Sequence, residues 1–444
     1  MSDEMGDISF RANKRLPIHS WFVYVAGYDA KFVRSVIEEY CDEPDSDYTP
    51  TVFDPYCGSG TTVEEAIDSG RDGIGTEINP IMAFVSRAKT DWNSYPKDVR
   101  KGSREFLNDV KPQVLSEFPN ATLETFSGQG AVKDVRIKSK SPVPELANIE
   151  NWYTDSVLEQ LRILKGNIMQ IETEGLRMLC LLSFASILVD VSNGGYDPSL
   201  GYRRDSDGDI IENQANVAKA FEETLTNVVD DVEEKVLNRD SSSSFGDALI
   251  MNSDGEEHPA LQDECVDLLV TSPPYANNMN YIRQTRPHLY WLDYWADRSR
   301  RKFEDNMMGS YWQIVRREEV EMLYPTETLE SVTDEIRKQE PEREELGGPG
   351  WARYVNRYFN DLGNGFEQQY RLLKPDSHAV YVVGNSVIKG VNVPVGEIIA
   401  EMIEEHFDFE VVGSPVHSSN TRVSSSLRTE DLTDVVVTLH KPEQ

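Results

Sequence analysis

The chain has 444 residues, 77 of them acidic and 44 basic, for a net charge of −33. That length exceeds one minimal core and implies either one large α/β domain with an insertion or two domains. A hydrophobic content of 39% with 9% aromatic residues excludes a disordered chain.

No run of about 18 apolar residues offers a membrane span, and the acidic opening MSDEMGDISF lacks the apolar core of a signal peptide. Cys41, Cys57, Cys180 and Cys265 form no CxxC pair, so neither a zinc site nor a disulfide framework is expected, and a reduced cytoplasmic setting fits. The acidity has two readings: a chain that avoids nucleic acid, or one that works in a salt-loaded cytoplasm where an acidic surface stays solvated. The excess is spread along the chain rather than gathered in a tail, which favours the second.

In chain order, TVFD (51–54) reads as a short buried strand, followed by the turn PYCGSG and the helix TTVEEAIDSG, with Gly70 as its stop. A second strand, GIGTEIN (73–79), and an apolar helix from Pro80 to Trp92 complete a βαβ unit. The middle third turns helical over WYTDSVLEQLRILKGNIMQIE, EGLRMLCLLSFASILVDVSN and residues 212–239, all with spacing near 3.6. The turn-rich GGYDPSLGYRRDSDGD (194–209) between them reads as a surface loop. Strand-like runs return at 266–272, 378–384, 409–415 and 434–440, with the helix VGEIIAEMIEEHF between the second and third. Residues 297–350 are charged, lack sustained apolar periodicity and read as an inserted, partly mobile region.

Two motifs carry chemistry. In FDPYCGSGTT (53–62), Asp54 ends a strand where it could meet a cationic ligand group, and Gly58 and Gly60 permit close ligand approach. No GK[ST] ending follows, which disfavours a phosphate-gripping loop, and Glu77 stands where a carboxylate accepts ribose hydroxyls. In TSPPY (271–275), two prolines fix the backbone, so that the Ser272 hydroxyl, the Pro273 carbonyl and the Tyr275 ring share one small space. That set suits a planar base carrying an amino group, with two acceptors for its hydrogens and a ring to stack on. Cys57 reads as a small loop residue rather than a nucleophile. Tyr281, Arg283 and Arg286, just beyond, are candidates for neighbouring phosphates or for a merely solvated role.

FDPYCGSGTT, GIGTEINP, FGDALI (245–250) and VDLLVTSPPYANNMNY together resemble, in this order, the cofactor and catalytic motifs of the amino-methylating DNA methyltransferases. IHSWFVYVAGYDAKFV (18–33) is similar to that family's additional cofactor-contacting motif. The resemblance implies an α/β fold: a seven-stranded Rossmann-like S-adenosylmethionine-dependent methyltransferase sheet with its last strand (434–440) antiparallel, plus a helical insertion. It implies S-adenosyl-L-methionine held by His19, Trp21, Asp54, Tyr56, Gly58, Gly60, Thr61, Thr62, Glu77, Asn79 and Asp247, with Asp247 approaching the adenine amino group. Ser272, Pro273, Pro274 and Tyr275 would form the catalytic loop, and no metal is expected. Tyr56 departs from the family's frequent phenylalanine, and the roughly 165 residues between GIGTEINP and FGDALI exceed common arrangements.

The implied organisation is a cofactor-binding part at 14–94, a helical insertion and DNA-gripping region at 95–240, a catalytic part at 241–296, a variable insertion for target recognition at 297–350 and the rest of the sheet at 351–444. The implied partner is double-stranded DNA, either beside a cognate restriction endonuclease or without one, and no membrane partner is implied. Serine before Pro-Pro-Tyr points to cytosine N4; adenine N6 and an RNA substrate are the alternatives. The basic runs 99–104, 133–140 and 298–302 stand out against the acidic background.

Overall fold

The computed structural model describes residues 12–23, 27–118, 135–196, 199–239, 244–255, 258–277, 279–294, 307–308, 312–339, 349–421 and 433–443. Its centre is a sheet of seven strands: β1 (Thr51–Asp54), β2 (Asp72–Thr76), β3 (Ala248–Met251), β4 (Val266–Thr271), β5 (Leu373–Gly384), β6 (Glu410–Val411) and β7 (Thr433–Lys441). They lie in the order β3-β2-β1-β4-β5-β7-β6, with residues Val416–Thr421 also pairing with β7. β1 to β5 run parallel, and β7 enters antiparallel between β5 and β6. This is the Rossmann-like methyltransferase sheet, including the inverted seventh strand. The order reverses at β1, and the carboxyl ends of β1 and β4 adjoin there, where an open α/β sheet offers its ligand crevice.

Local sequence explains the inner elements. Val52, Phe53, Leu268, Leu269 and Val270 are all buried, as parallel strands covered on both faces require. Helix α1 (Ala30–Tyr40) precedes β1. Helix α2 (Thr61–Asp68) starts after Gly60 and ends where Gly70 takes φ +82 and its N–H returns to the Ile67 carbonyl. Helix α3 (Pro80–Thr90) has proline at its first turn and Asn79 as N-cap, whose side chain accepts from the Ile81 N–H at 3.2 Å.

The insertion is helical as expected. It comprises α4 (Val99–Leu115), α5 (Asp155–Ile168), α6 (Glu174–Ile187) and α7 (Val217–Asp231). Their apolar faces share one core with α3, with Ile18, Trp21 and Phe22, and with Ile282, Leu289 and Trp291 just beyond the Pro-Pro-Tyr motif. On the other side, α8 (Trp351–Leu372), α9 (Val395–His406) and the helix Glu327–Gln339 pack against β4, β5 and β7.

Three expectations are corrected. Residues 194–209 are not a plain loop: Gly194–Tyr196 and Leu200–Tyr202 pair as an antiparallel hairpin. That hairpin is tied to the segment after Tyr275, because Tyr196 Oη donates to the Gln284 carbonyl at 3.0 Å and the Leu200 N–H to Gln284 Oε1 at 2.8 Å. Residues 327–339 within the expected mobile insertion are a helix that buries Leu329, Val332 and Ile336 in the core. The strand expected at 409–415 is only two residues long, Glu410–Val411, on the outermost edge, where Glu410 is exposed and Val411 is half-buried against the core.

Candidate active site

Asp54 ends β1 fully buried, and four donors converge on it. Its carboxylate accepts from Thr271 Oγ1 at 2.6 Å, Thr62 Oγ1 at 2.8 Å, the Tyr56 N–H at 3.0 Å and Tyr28 Oη at 3.3 Å. Burial raises this carboxyl to about 6, against the lowering pull of those donors. Thr62 and Tyr28 hydroxyls also bond each other, and both reach the Val270 carbonyl. A buried acid held this way is costly to ionise without a cation and is oriented to receive one.

The following loop supplies the cradle. Gly58 has φ +51, and its N–H donates to Glu77 Oε2 at 3.0 Å. Nothing but the Tyr56 carbonyl, 4.0 Å away, approaches the place where a Gly58 side chain would stand. Gly60 has φ +85 and packs so tightly that a Cβ would lie 2.4 Å from Ser86 Oγ. Thr61 opens α2 beside it. The second oxygen of Glu77 accepts the Asn79 N–H at 2.7 Å. Burial raises the Glu77 carboxyl to about 7, and the nearby Asp54 charge adds to the rise. Two raised carboxylates around an open glycine turn fit a ligand that brings both a positive charge and hydroxyl donors.

Ser272 follows Thr271 directly and is half-buried, as are Pro274 and Tyr275, whereas Pro273 is buried. The loop is held at both ends. The Tyr275 N–H donates to Tyr281 Oη at 3.2 Å, and Tyr275 Oη reaches Asp434 Oδ1 at 3.3 Å, at the start of β7. Asn79, the N-cap of α3, donates through Nδ2 to Thr285 Oγ1 at 2.9 Å, which ties the segment beyond the loop to the Glu77 side. Burial pushes the Cys57 thiol well above its ordinary range, so the sulfur stays protonated and is no nucleophile.

A DNA methylase family profile matches residues 11–84, the stretch that carries Tyr28, Asp54 and Glu77. The chain is 24% identical over 364 residues to the type II methyltransferase M.MvaI of Kocuria varians, covering 80% of this chain and 74% of that protein. It is 22% identical over 441 residues to the type II methyltransferase M.BsoBI of Geobacillus stearothermophilus, with 91% and 81% covered. It is 23% identical over 418 residues to the type II methyltransferase M.AvaI of a Nostoc strain, with 90% and 80% covered. Over most of its length the chain is similar to type II DNA methyltransferases.

Not every residue expected at the methyltransferase site lies there. Asp247 precedes β3 at its amino end: its N–H donates to Asp72 Oδ1 at 2.8 Å, and its exposed carboxylate takes the Asn93 amide at 3.1 Å. Asp54 ends its strand and Glu77 follows its own at the carboxyl edge of the sheet, so Asp247 stands at the opposite edge. Asn252 and Asp254 are at the carboxyl edge. Asn252 Nδ2 donates to the Glu77 carbonyl at 2.7 Å, and Gly255 is so close to Tyr56 that a Cβ would lie 2.2 Å from its ring.

His19 and Trp21 are likewise engaged elsewhere. His19 lies buried between Glu64 and Glu65, with ring nitrogens 3.1 and 2.8 Å from their oxygens, and Trp21 Nε1 donates to Asp231 Oδ2 at 2.8 Å. Their polar atoms pin the N-terminal segment to α2 and α7 rather than offering donors to a ligand. Tyr28, Thr271 and Asp434 were not singled out from sequence. Tyr28 lies inside the quoted 18–33 motif, but its pairing with Asp54 and Thr62 spans 26 and 34 residues.

Proposed function

We propose that this methyltransferase transfers a methyl group from S-adenosyl-L-methionine to the N4 amino group of cytosine within a short sequence of double-stranded DNA. The observation that carries the reading is the 2.6 Å bond from Thr271 to Asp54, which sets Ser272-Pro273-Pro274-Tyr275 one residue away from the carboxylate of the cofactor loop.

In this reading the ionised Asp54 faces the ammonium of the cofactor's methionine end, and Gly58, Gly60 and Thr61 let that end approach the backbone. Glu77 accepts the ribose hydroxyls, and Asp254 with Asn252 flanks the adenine side. The cofactor supplies an electrophilic methyl group on a sulfonium. The amino nitrogen of a base is a poor nucleophile because its lone pair is conjugated with the ring. Ser272 Oγ and the Pro273 carbonyl accept its two hydrogens, which favours a pyramidal nitrogen and stabilises positive charge as it develops there. Tyr275, steadied by Tyr281 and Asp434, stacks on the extruded base. The extra proton on nitrogen leaves to water, since Ser272 is no strong base.

Serine in place of aspartate ahead of Pro-Pro-Tyr is the ground for cytosine over adenine. The relatives named as type II methyltransferases support a role beside a restriction endonuclease. The test is to digest DNA incubated with the enzyme and cofactor to nucleosides and to weigh them by mass spectrometry. N4-methylcytosine is the expected product. N6-methyladenine alone overturns the base, and label confined to RNA overturns the substrate class.

A further inference from the structure

Three distant stretches of chain meet in one stack of rings and cations. Trp312 and Trp351 lie face to face, with centroids 4.8 Å apart and planes 11° apart. The Arg316 guanidinium carbon stands 5.0 Å from the Trp312 centroid, and Lys389 Nζ stands 4.8 Å from that of Trp351. Arg353 adds a third cation by donating from Nη1 to the Arg316 carbonyl at 2.8 Å. A desolvated cation over an indole face is worth about 1–2 kcal/mol, enough to order side chains that would otherwise be mobile.

These cations gather in one place on an acidic molecule. Among the described residues, Arg316, Arg353 and Lys389 make no ion pair, although the chain carries a net charge of −33. Glu318, two residues from Arg316, lies 3.9 Å from Arg357 instead. Elsewhere, basic side chains such as Arg34, Arg100 and Arg239 are taken by carboxylates. Lys389 also occupies an unfavourable backbone position. It forms the hairpin turn between Ser386–Ile388 and Val391–Val393 with Gly390, at φ +53 and +81, where asparagine or glycine is the ordinary first residue. A lysine there costs about 1–2 kcal/mol of backbone strain, so the position calls for an explanation in terms of its charge.

The location gives one. The hairpin rises from the carboxyl end of β5, where Gly384 pairs with Asp434, and Asp434 takes the Tyr275 hydroxyl. Three extended residues reach about 10 Å, which sets Lys389 that far along the hairpin from the end of β5.

We infer that Arg316, Arg353 and Lys389, ordered by the Trp312–Trp351 stack, form a phosphate-binding wall that grips the DNA backbone beside the extruded base. The inference rests on the proposed reading of the enzyme as a DNA methyltransferase. The wall supplies register and affinity rather than sequence reading, because phosphate contacts carry no base information.

The test measures binding of a fluorescent 30-base-pair duplex by anisotropy across a salt series, for the wild type, for Lys389→Gln and for the triple variant Arg316→Gln, Arg353→Gln and Lys389→Gln. Each phosphate contact removed should lower the slope of log K against log salt by about 0.9. The single variant is therefore expected to lose about one unit and the triple variant two to three. Lys389→Arg should restore the slope, and calorimetric cofactor affinity should stay unchanged in all variants. Slopes equal to wild type, with weaker binding or a lowered thermal midpoint, would show that the stack is only structural and overturn the inference. A wild type that binds cofactor but neither binds nor methylates the duplex would overturn the DNA reading and the wall with it, a result distinct from unchanged slopes.

Discussion

Thr271 donates its hydroxyl to the Asp54 carboxylate at 2.6 Å, joining the last residue of β4 to the last residue of β1 across 217 positions of chain. In the proposed reading the cofactor side hangs on Asp54, and the base side follows from Ser272, the residue after Thr271. Any shift of one loop is therefore passed to the other through this bond and the Tyr28 and Thr62 hydroxyls that join Asp54 to the Val270 carbonyl, and a misplacement of about 1 Å is enough to cost a reaction of this kind about two orders of magnitude.

Thr271→Val keeps the shape and removes that bond. A buried carboxylate that loses a donor costs about 1–3 kcal/mol, and the Asp54 carboxyl should move further up. The expected results are a lower urea midpoint, weaker cofactor binding and a loss of methyl transfer larger than the loss of affinity. Thr271→Ser should recover most of all three. Equal affinity and equal turnover in the valine variant would separate the two loops.

The raised carboxyls give a signed pH dependence. Asp54 is held at about 6 and Glu77 at about 7, both above their unfolded values near 4. The folded chain therefore binds more protons than the unfolded chain between pH 4 and 7. The contribution of these groups to stability is full below pH 4 and is lost as pH rises through 6 and 7. In the proposed reading cofactor binding runs the other way, because the ionised forms would meet the ammonium and the ribose hydroxyls. Calorimetric affinity for S-adenosyl-L-methionine should climb from pH 5 to 8, and Asp54→Asn should abolish the lower part of the climb. An affinity flat across that range in the wild type would remove both acids from the site.

Ser272→Ala should keep cofactor affinity within about twofold and lose about 10²–10³ in methyl transfer, the usual consequence of deleting one group that acts on developing charge. Tyr275→Ala should lose transfer to a similar degree through lost stacking, whereas Tyr275→Phe should lose less, since it keeps the ring that stacks and gives up the hydroxyl that reaches Asp434 at 3.3 Å. Full turnover in Ser272→Ala and Tyr275→Ala would reduce the Pro-Pro-Tyr loop to a chain corner.

What sequence could reveal here was whatever is contiguous. Asp54, Gly58, Gly60 and the Ser272–Tyr275 run each lie within one short segment, so their spacing is a local property, and the alternation of apolar runs with helices implied the sheet. Tyr28 and Asp434 were hidden because they join the site only through folding. Asp247 lies at the opposite edge for a different reason: in FGDALI the acid precedes the strand instead of following it. The strand is Ala248–Met251, four apolar residues followed by Asn-Ser-Asp-Gly, so the acid at the carboxyl end is Asp254. His19 and Trp21 look like ligand groups in a linear motif, and only packing brings Glu64, Glu65 and Asp231 against them. The hairpin at 194–202 was obscured by its glycines and proline, although Tyr196, Leu200 and Tyr202 already carried the strand character.

The two loop glycines should respond differently to alanine. Both sit at positive φ, which costs an alanine about 1–2 kcal/mol. At Gly60 the added carbon would also lie 2.4 Å from Ser86 Oγ, so Gly60→Ala should lower the thermal midpoint markedly. At Gly58 the space is open, so Gly58→Ala should fold with only the backbone cost yet bind the cofactor poorly, because its methyl would stand in the ligand's place. Equal thermal midpoints for the two variants, or intact cofactor affinity in Gly58→Ala, would contradict this assignment of roles.

Salt should stabilise the protein. With 77 acidic and 44 basic residues, the surface repels itself, and the repulsion acts over the Debye length, about 30 Å in 0.01 M salt but about 3 Å at 1 M. The opposing effect is weak, because the ion pairs that matter most are shielded from salt. Glu64 is buried beside Lys235 at 3.5 Å, Glu65 is buried beside Arg34 at 2.7 Å, and Asp68 is largely enclosed by Arg239 at 2.7 Å and Lys235 at 3.5 Å. Screening therefore removes more repulsion than attraction. The thermal midpoint should rise steeply between 0.01 and about 0.5 M potassium chloride, where most of the Debye length is lost. Any continued rise beyond 1 M would reflect hydration of the acidic surface rather than screening. Replacing exposed acids such as Glu330 and Glu335 with glutamine should flatten the first phase and leave the second. Scanning calorimetry over that series decides the matter, and a cooperative transition with the same midpoint at 0.01 M and 2 M would sink the reading of the chain as salt-adapted.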